Sequence, residues 1–151
     1  MPSAFVESND RSRRRLEAVV RSLSDQDLAR PTSDGWTVSA LLAHLAFWDQ
    51  RMIVLLRRWK AAGVEPSPID ADMTNDALQP LCLRLPAQAA IDLCLSSAQA
   101  IDAELESLSA GLIEQIEASG THFRFDRALH RDDHLSQIES HLGRLPGDGG
   151  A

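Results

Sequence analysis

His44, His130 and His134 are the residues of this chain whose type and spacing could do chemistry. His130 and His134 are four apart, so on a helix they leave one side with Cβ atoms roughly 6 Å apart, close enough for two imidazoles to converge on one ion. His44 lies in a separate helical segment, near the centre of an apolar stripe, and could supply a third ligand. Three imidazoles leave the remaining positions of a first-row divalent ion to water or substrate. Such an ion can acidify a bound water, which leads to hydrolysis, or hold a thiol as thiolate, which leads to thiol transfer. Plainer readings exist for each part. An HxxxH pair arises by chance on helix surfaces, and a histidine in an apolar stripe can be a core residue satisfied by a neighbouring acceptor.

The elements that must position these rings are helical, because four long segments show a 3.6-residue period and none alternates with period two. The first is expected from about Ala4 to Leu23, with Phe5, Leu16, Val19, Val20 and Leu23 facing inward. Ser24 to Asp27 restarts a short turn, and Arg30 to Gly35 breaks the chain. The second helix starts near Thr37, whose hydroxyl can cap the N–H of Ala40, and its stripe from Val38 to Trp59 runs until Gly63. Pro66, Pro68, Pro80 and Pro86 make the stretch from Val64 to Leu85 a long crossover with at most one helical turn near Asn75 to Leu81, a length that permits non-neighbouring helices. The third helix starts at Pro86 and runs through Leu108 to a stop at Ser109-Ala110-Gly111. Leu112 to Ala118 can form a further turn, and the fourth helix spans about Phe125 to Leu142, closed by Gly143 and Pro146. The fold expected is an all-α helix bundle.

Composition bounds the function. The chain has 151 residues, enough for one domain, with 44% hydrophobic and 25% charged residues, an ordinary globular balance. We expect a single unit over residues 1–145 and a flexible tail over 146–151. Fifteen Lys+Arg against 22 Asp+Glu give a net charge of -7, which speaks against nucleic acid and anionic membranes as partners. Arg11, Arg13, Arg14 and Arg15 form a local exception, read as the solvated side of the first helix because Glu7, Asp10 and Glu17 lie within pairing distance. Cys82 and Cys94 form no CxxC, which suits free thiols in a reducing compartment. No leader pattern opens the chain and no segment reaches ~18 uncharged apolar residues, so the expected location is cytoplasmic.

Two segments resemble a known family. Gly35 to Trp48 (GWTVSALLAHLAFW) is similar to the signature of the DinB-like superfamily, which includes the N-terminal domain of mycothiol-dependent maleylpyruvate isomerase and the bacillithiol transferases. Ala128 to Ile138 (ALHRDDHLSQI) is similar to that family's HxxxHLxQI ending. Order, spacing and separation match, and Asp25 to Pro31 resembles the usual connection between helices 1 and 2. The resemblance implies an up-down-down-up four-helix bundle with the crossover between helices 2 and 3, commonly a homodimer. It also implies a divalent metal held by His44, His130 and His134, nickel or zinc above all, with manganese or iron also compatible with such a ligand set.

The rest of a site is less defined by sequence. Asp126, four residues before His130, and Asp49, one turn beyond His44, could accept the second imidazole N–H of a ligand, or be solvated helix charges. Trp36 and Trp48 could wall a pocket or pack in the core. His141 lies about 10 Å along the helix from His134, too far to share an ion, and suits a cation at a helix C-terminus. His122 could reach the site only if the chain folds back. By resemblance the favoured activity is a metal-dependent S-transferase that joins a low-molecular-weight thiol to a small electrophile, with Arg124, Arg127 and Arg131 the nearest cations for an anionic thiol. Two alternatives remain: a hydrolase in which Asp126 or Asp133 moves protons, and a non-enzymatic dimeric bundle that binds metal or an apolar ligand in a stress response.

Overall fold

A computed structural model describes residues 3–144, so the expected tail and the role of Pro146 lie outside the described residues. The described chain is built of α1 (Ala4–Ser22), α2 (Asp25–Leu28), α3 (Val38–Ala62), α4 (Ala71–Arg84), α5 (Ala87–Glu106), α6 (Ala110–Ala118) and α7 (Ala128–His141). The all-α class is as expected; an isolated bridge between Pro31 and Thr37 is the one β-type pairing among the described residues. α3 packs along α5, and α1 packs against both α5 and α7. The long crossover therefore joins helices that are neighbours in space, not the separated pair its length would permit.

Local signals explain most boundaries. Thr37 accepts from the Ala40 N–H at 3.1 Å and starts α3, while Gly63, at φ 94°, ends it in a conformation that a Cβ would strain. Ser24 and Asp27 form a reciprocal capping box on α2. The Arg30–Val38 loop is closed by the Val38 N–H to Arg30 carbonyl bond (3.0 Å) and by Thr32 N–H to Trp36 carbonyl (2.7 Å), which sets Trp36 beside the start of α3.

Three boundaries differ from expectation. The crossover contains a full helix, α4, with Pro80 inside it. Asp70 caps it through the Met73 N–H (3.0 Å), and Leu78 and Cys82 pack on Ala40, Ala43 and Ala90, so burial offsets an internal proline that costs on the order of 3 kcal/mol. The expected turn at Leu112 to Ala118 is the helix α6, capped by Ser109 on the Leu112 N–H. The last helix begins at Ala128 rather than Phe125, and Asn9 of α1 binds the backbone just before it: its amide donates to the Phe125 carbonyl (2.9 Å) and accepts from the Arg127 N–H (2.6 Å).

The core divides around a polar band. Leu16, Val19, Leu41, Leu42, Leu45, Leu135 and Ile138 fill one end, and Ile53, Leu56, Trp59, Ile101, Leu105 and Ile116 fill the other. Between them lies a buried ion network. Asp49 of α3 accepts from Arg127 Nε (3.1 Å) and Nη2 (3.0 Å), and its other oxygen is 3.8 Å from Arg131 Nη2. Arg131, 1% exposed at its side chain, is held by Asp102 of α5 through two bonds of 2.7 and 3.0 Å and donates to the Asn9 carbonyl of α1. Asp102 is shared with Arg13 at 3.1 Å. The arginine cluster of α1 is thus only partly solvated: Arg14 pairs with Asp10 at the surface, whereas Arg15 reaches Asp132 and Glu139 of α7.

α3 also holds an 18-residue window of mean hydropathy 1.2, long and apolar enough by composition to cross a membrane, but Asp49 and Arg51 interrupt it, so no run of ~18 uncharged apolar residues arises there; 56% of that window is buried inside the fold. Its hydrophobicity is that of the central helix of the bundle.

Replacing Asp49 by Ala leaves two guanidiniums buried with one carboxylate fewer. We expect a loss of about 3–5 kcal/mol in urea unfolding, against less than about 1 kcal/mol for Asp10→Ala, whose pairs are at the surface.

Candidate metal centre

α3 and α7 bring His44, His130 and His134 to one point. His44 sits in the second turn of α3, 6% exposed, at the position where that helix faces α7. His130 and His134 lie in the first two turns of α7, whose rotation is set by Arg131 on the adjacent face and by Arg127 at its N-cap. The ring centroids form a near-equilateral triangle of 4.8, 4.9 and 5.2 Å. One ligand-capable nitrogen from each ring lies within 4.8 Å of the others, and the arrangement could hold a metal ion. His44 Nε2 and His130 Nε2 are 3.2 Å apart. Two nitrogens bound to one ion at ~2.1 Å are separated by about 3.0–3.4 Å for octahedral to tetrahedral angles, so this pair already has ligand spacing. Among the described residues, His122 and His141 take no part: His122 lies in the loop before α7, and His141 bonds the Gln137 carbonyl through Nδ1 at 2.9 Å in the last helical turn.

Burial tunes all three rings toward the neutral form that can donate a lone pair. Desolvation, then the charge of His134, pushes His44 down to about 4. The same two causes, with Arg127, His44 and Arg124 adding to them, push His130 down to about 2. His134 is lowered by burial, against the pull of Gln137 and Asp133. The lowered values of all three rings favour the neutral form, which keeps one ring nitrogen with a lone pair to offer a cation.

The groups that orient the rings are not the carboxylates expected from sequence. Asp49 points away from His44 to Arg127 and Arg131, where burial pushes its carboxyl up and the two guanidiniums pull it down. Asp126 accepts from the Ser8 hydroxyl (3.1 Å) and the Ala128 N–H (2.8 Å), capping α7. His134 Nδ1 instead pairs with Gln137 Oε1 at 3.0 Å, leaving its Nε2 free to ligate, and Gln137 Nε2 donates to Ser33 Oγ at 2.9 Å. Gln137 was legible as a same-face neighbour three residues after His134. His44 Nδ1 is buried without a hydrogen-bond partner; its ring is held by edge contacts with Trp36 (5.3 Å) and Trp48 (6.4 Å). Both tryptophans therefore wall the site.

The three rings form part of the wall of an open cavity of about 560 Å³. Arg124, Arg127, Asp34 and Gln137 share that lining. Arg127 is neutralised by Asp49, whereas Arg124 is exposed at the margin and makes no ion pair among those found in the described residues. Arg131, the third cation considered, faces α5 and α1 and does not line the cavity. A cation held by neutral imidazoles in this setting would make the cavity positive within a protein of net charge -7.

The sequence model of the DinB superfamily matches residues 8–143, and the chain belongs to that superfamily. No curated protein and no solved structure gives a significant match. The matched span contains all three histidines and Gln137.

Two outcomes test this geometry. Gln137→Ala should weaken zinc binding by about 10- to 100-fold in a chelator competition, with the fold kept by circular dichroism. The pH dependence of the metal-free protein follows from the lowered imidazole values. Folded rings bind fewer protons than unfolded ones, so stability is at its full level above the unfolded value near 6.5, falls as the pH drops, and has lost the His44 contribution by about 4. Thermal unfolding in a chelator should show Tm declining from pH 7 to 4, more shallowly in His44→Phe.

Proposed function

We propose that this protein is a divalent-metal-dependent S-transferase that joins a low-molecular-weight thiol bearing an anionic group to a small electrophile, with His44, His130 and His134 as the metal ligands. The observation that carries this reading is the convergence of three neutral imidazoles on the wall of a cavity large enough for a small molecule. The donor set of three nitrogens suits zinc or nickel, and manganese or iron are compatible with it. When bound, the ion supplies a positive charge that favours the anionic form of sulfur over the thiol.

The chain's own residues do the rest. Arg124, free of carboxylates at the margin, anchors the carboxylate of the thiol and so orients its sulfur toward the histidines. Trp36 and Trp48 shield the reacting sulfur from water, which raises the strength of every charge interaction inside. The sulfur forms a bond to the electrophilic carbon as the leaving group departs with its bonding pair, and the thiol proton passes to solvent.

Carboxylates in the lining bear on the alternatives. Asp126 and Asp133, the expected proton carriers of a hydrolase, do not line the cavity; Asp126 caps α7 and Asp133 is exposed. Asp34 does line it, which keeps hydrolysis as a second reading with a different base. Ester turnover without thiol that disappears in Asp34→Asn would select it. A non-enzymatic stress-response bundle would show ion binding and neither activity. The proposal further includes a cytoplasmic location and a homodimer, the latter supported by large exposed apolar residues on α4, Met73 at 65% and Leu81 at 66%, and checked by light scattering on the purified protein.

The decisive measurement is metal content with thiol-dependent conjugation of a fluorogenic electrophile. Wild type should hold one ion per chain and conjugate only with thiol added; His130→Ala should lose both. Arg124→Gln should raise KM for a carboxylate-bearing thiol by about tenfold, equivalent to one charge-assisted hydrogen bond, while leaving 2-mercaptoethanol and metal content unchanged. Absence of stoichiometric metal after reloading would overturn the reading.

A further inference from the structure

A second cavity, of about 450 Å³, adjoins the first. Trp48 and Met52 of α3 line both, and the Trp48 ring stands 6.4 Å from that of His44. The second cavity thus begins one side chain away from the three-histidine cluster. Its floor is apolar, made by Leu55, Trp59 and Phe123, and its opposite wall is the 66–69 segment of the crossover.

The walls are built rather than incidental. Trp48 donates from Nε1 to Asn75 Oδ1 of α4 at 2.9 Å, which fixes the ring between the two cavities. Trp59 donates to the Glu65 carbonyl at 3.0 Å, and Arg51 donates to the Ser67 carbonyl (2.8 Å) and hydroxyl (3.0 Å), so the crossover is tied above the floor at Glu65 and Ser67. Pro66 and Pro68 stiffen it further. Phe123 packs on Trp59 at 5.4 Å and on Phe125 at 5.0 Å, holding the loop that closes the far side. Arg51, the cation in this lining, is committed to Ser67. A packed interior would not leave this volume, and apolar rings kept wet carry a hydration cost that a ligand removes.

We propose that this cavity is a second chamber of the metal site, which takes the apolar arm, of aromatic or short-alkyl size, of a molecule whose polar end lies at His44, His130 and His134. The proposal rests on the three-histidine reading and adds the class of substrate: an amphiphile with a polar, metal-directed head and an apolar tail directed past Trp48 and Met52. Trp48 acts as the partition that sets the distance between head and tail.

The test is binding of straight-chain alkyl hydroxamates, two to ten carbons long, to the zinc-loaded protein by calorimetry. Affinity should rise about fourfold for each methylene buried and level off when the chamber is full. Thr121→Trp, which fills the chamber from its loop side, should flatten this series while leaving acetohydroxamate affinity and zinc content unchanged. Leu55→Ala, which widens the floor, should move the plateau to longer chains; one of the two variants suffices if the other fails to fold. A flat series in the wild type, an unchanged slope in Thr121→Trp together with an unmoved plateau in Leu55→Ala (or whichever of the two folds), or an equal slope in the zinc-free protein would overturn the second chamber. Failure of the underlying reading is distinct: acetohydroxamate would then bind no more tightly to wild type than to His130→Ala, and the inference would fall with it.

Discussion

Two arginines buried between two aspartates hold this structure in the one arrangement that makes a site. Arg131 lies on α7 with the histidines and Arg127 at its N-cap, while Asp49 and Asp102 lie on α3 and α5, so the pairing ties the last helix to both partners at once. Taking charges out of water is expensive, and a buried pair adds little net stability beyond what apolar residues would give. Its effect is on position. A stripe of leucines tolerates a shift of a few tenths of a turn, but a guanidinium that must meet two carboxylate oxygens does not. The faces of α7 are fixed together, and with Arg131 turned to α5, His130 and His134 turn to α3.

Asn9 extends the same constraint to the chain entering α7. It holds the Phe125 carbonyl and the Arg127 N–H just before Ala128, with Arg127 at the boundary where its side chain reaches Asp49. One buried amide on the first helix therefore supports the ion network.

The consequence for chemistry is a division of charges. The network consumes Arg127 and Arg131, which are close to the histidines in sequence, and leaves Arg124 in the cavity wall with no ion pair among the described residues. Burial lowers the pKa of all three imidazoles, so the pocket has donor nitrogens beside Arg124. The same helix that supplies His44 continues through Trp48 and Met52 to Trp59, which links the cluster to the apolar cavity along a single rigid rod.

Much of this was legible from residue order. The four long helices follow from apolar periodicity; Thr37, Gly63 and Gly143 act within a few bonds of their own backbone and mark ends wherever the chain goes. The histidine trio was legible because four-residue spacing on a helix is itself a geometric statement, and because Gly35 to Trp48 and Ala128 to Ile138 resemble a family in which it recurs. Partners were not. Whether Asp49 serves His44 or Arg127 depends on which helix lies across from α3 and at what rotation, and a charged residue reads as solvated until its neighbour from 78 positions away is in place. α4 was hidden for a similar reason, since Pro80 argues against a helix locally and only the packing of Leu78 and Cys82 on Ala40 and Ala90 outweighs it. Local periodicity and capping are properties of adjacent residues, and sequence alone determined them here. The assignment of each buried charge, the place of Arg124 in the cavity wall and the second cavity are properties of surfaces brought together from distant segments, and only the tertiary structure decided them.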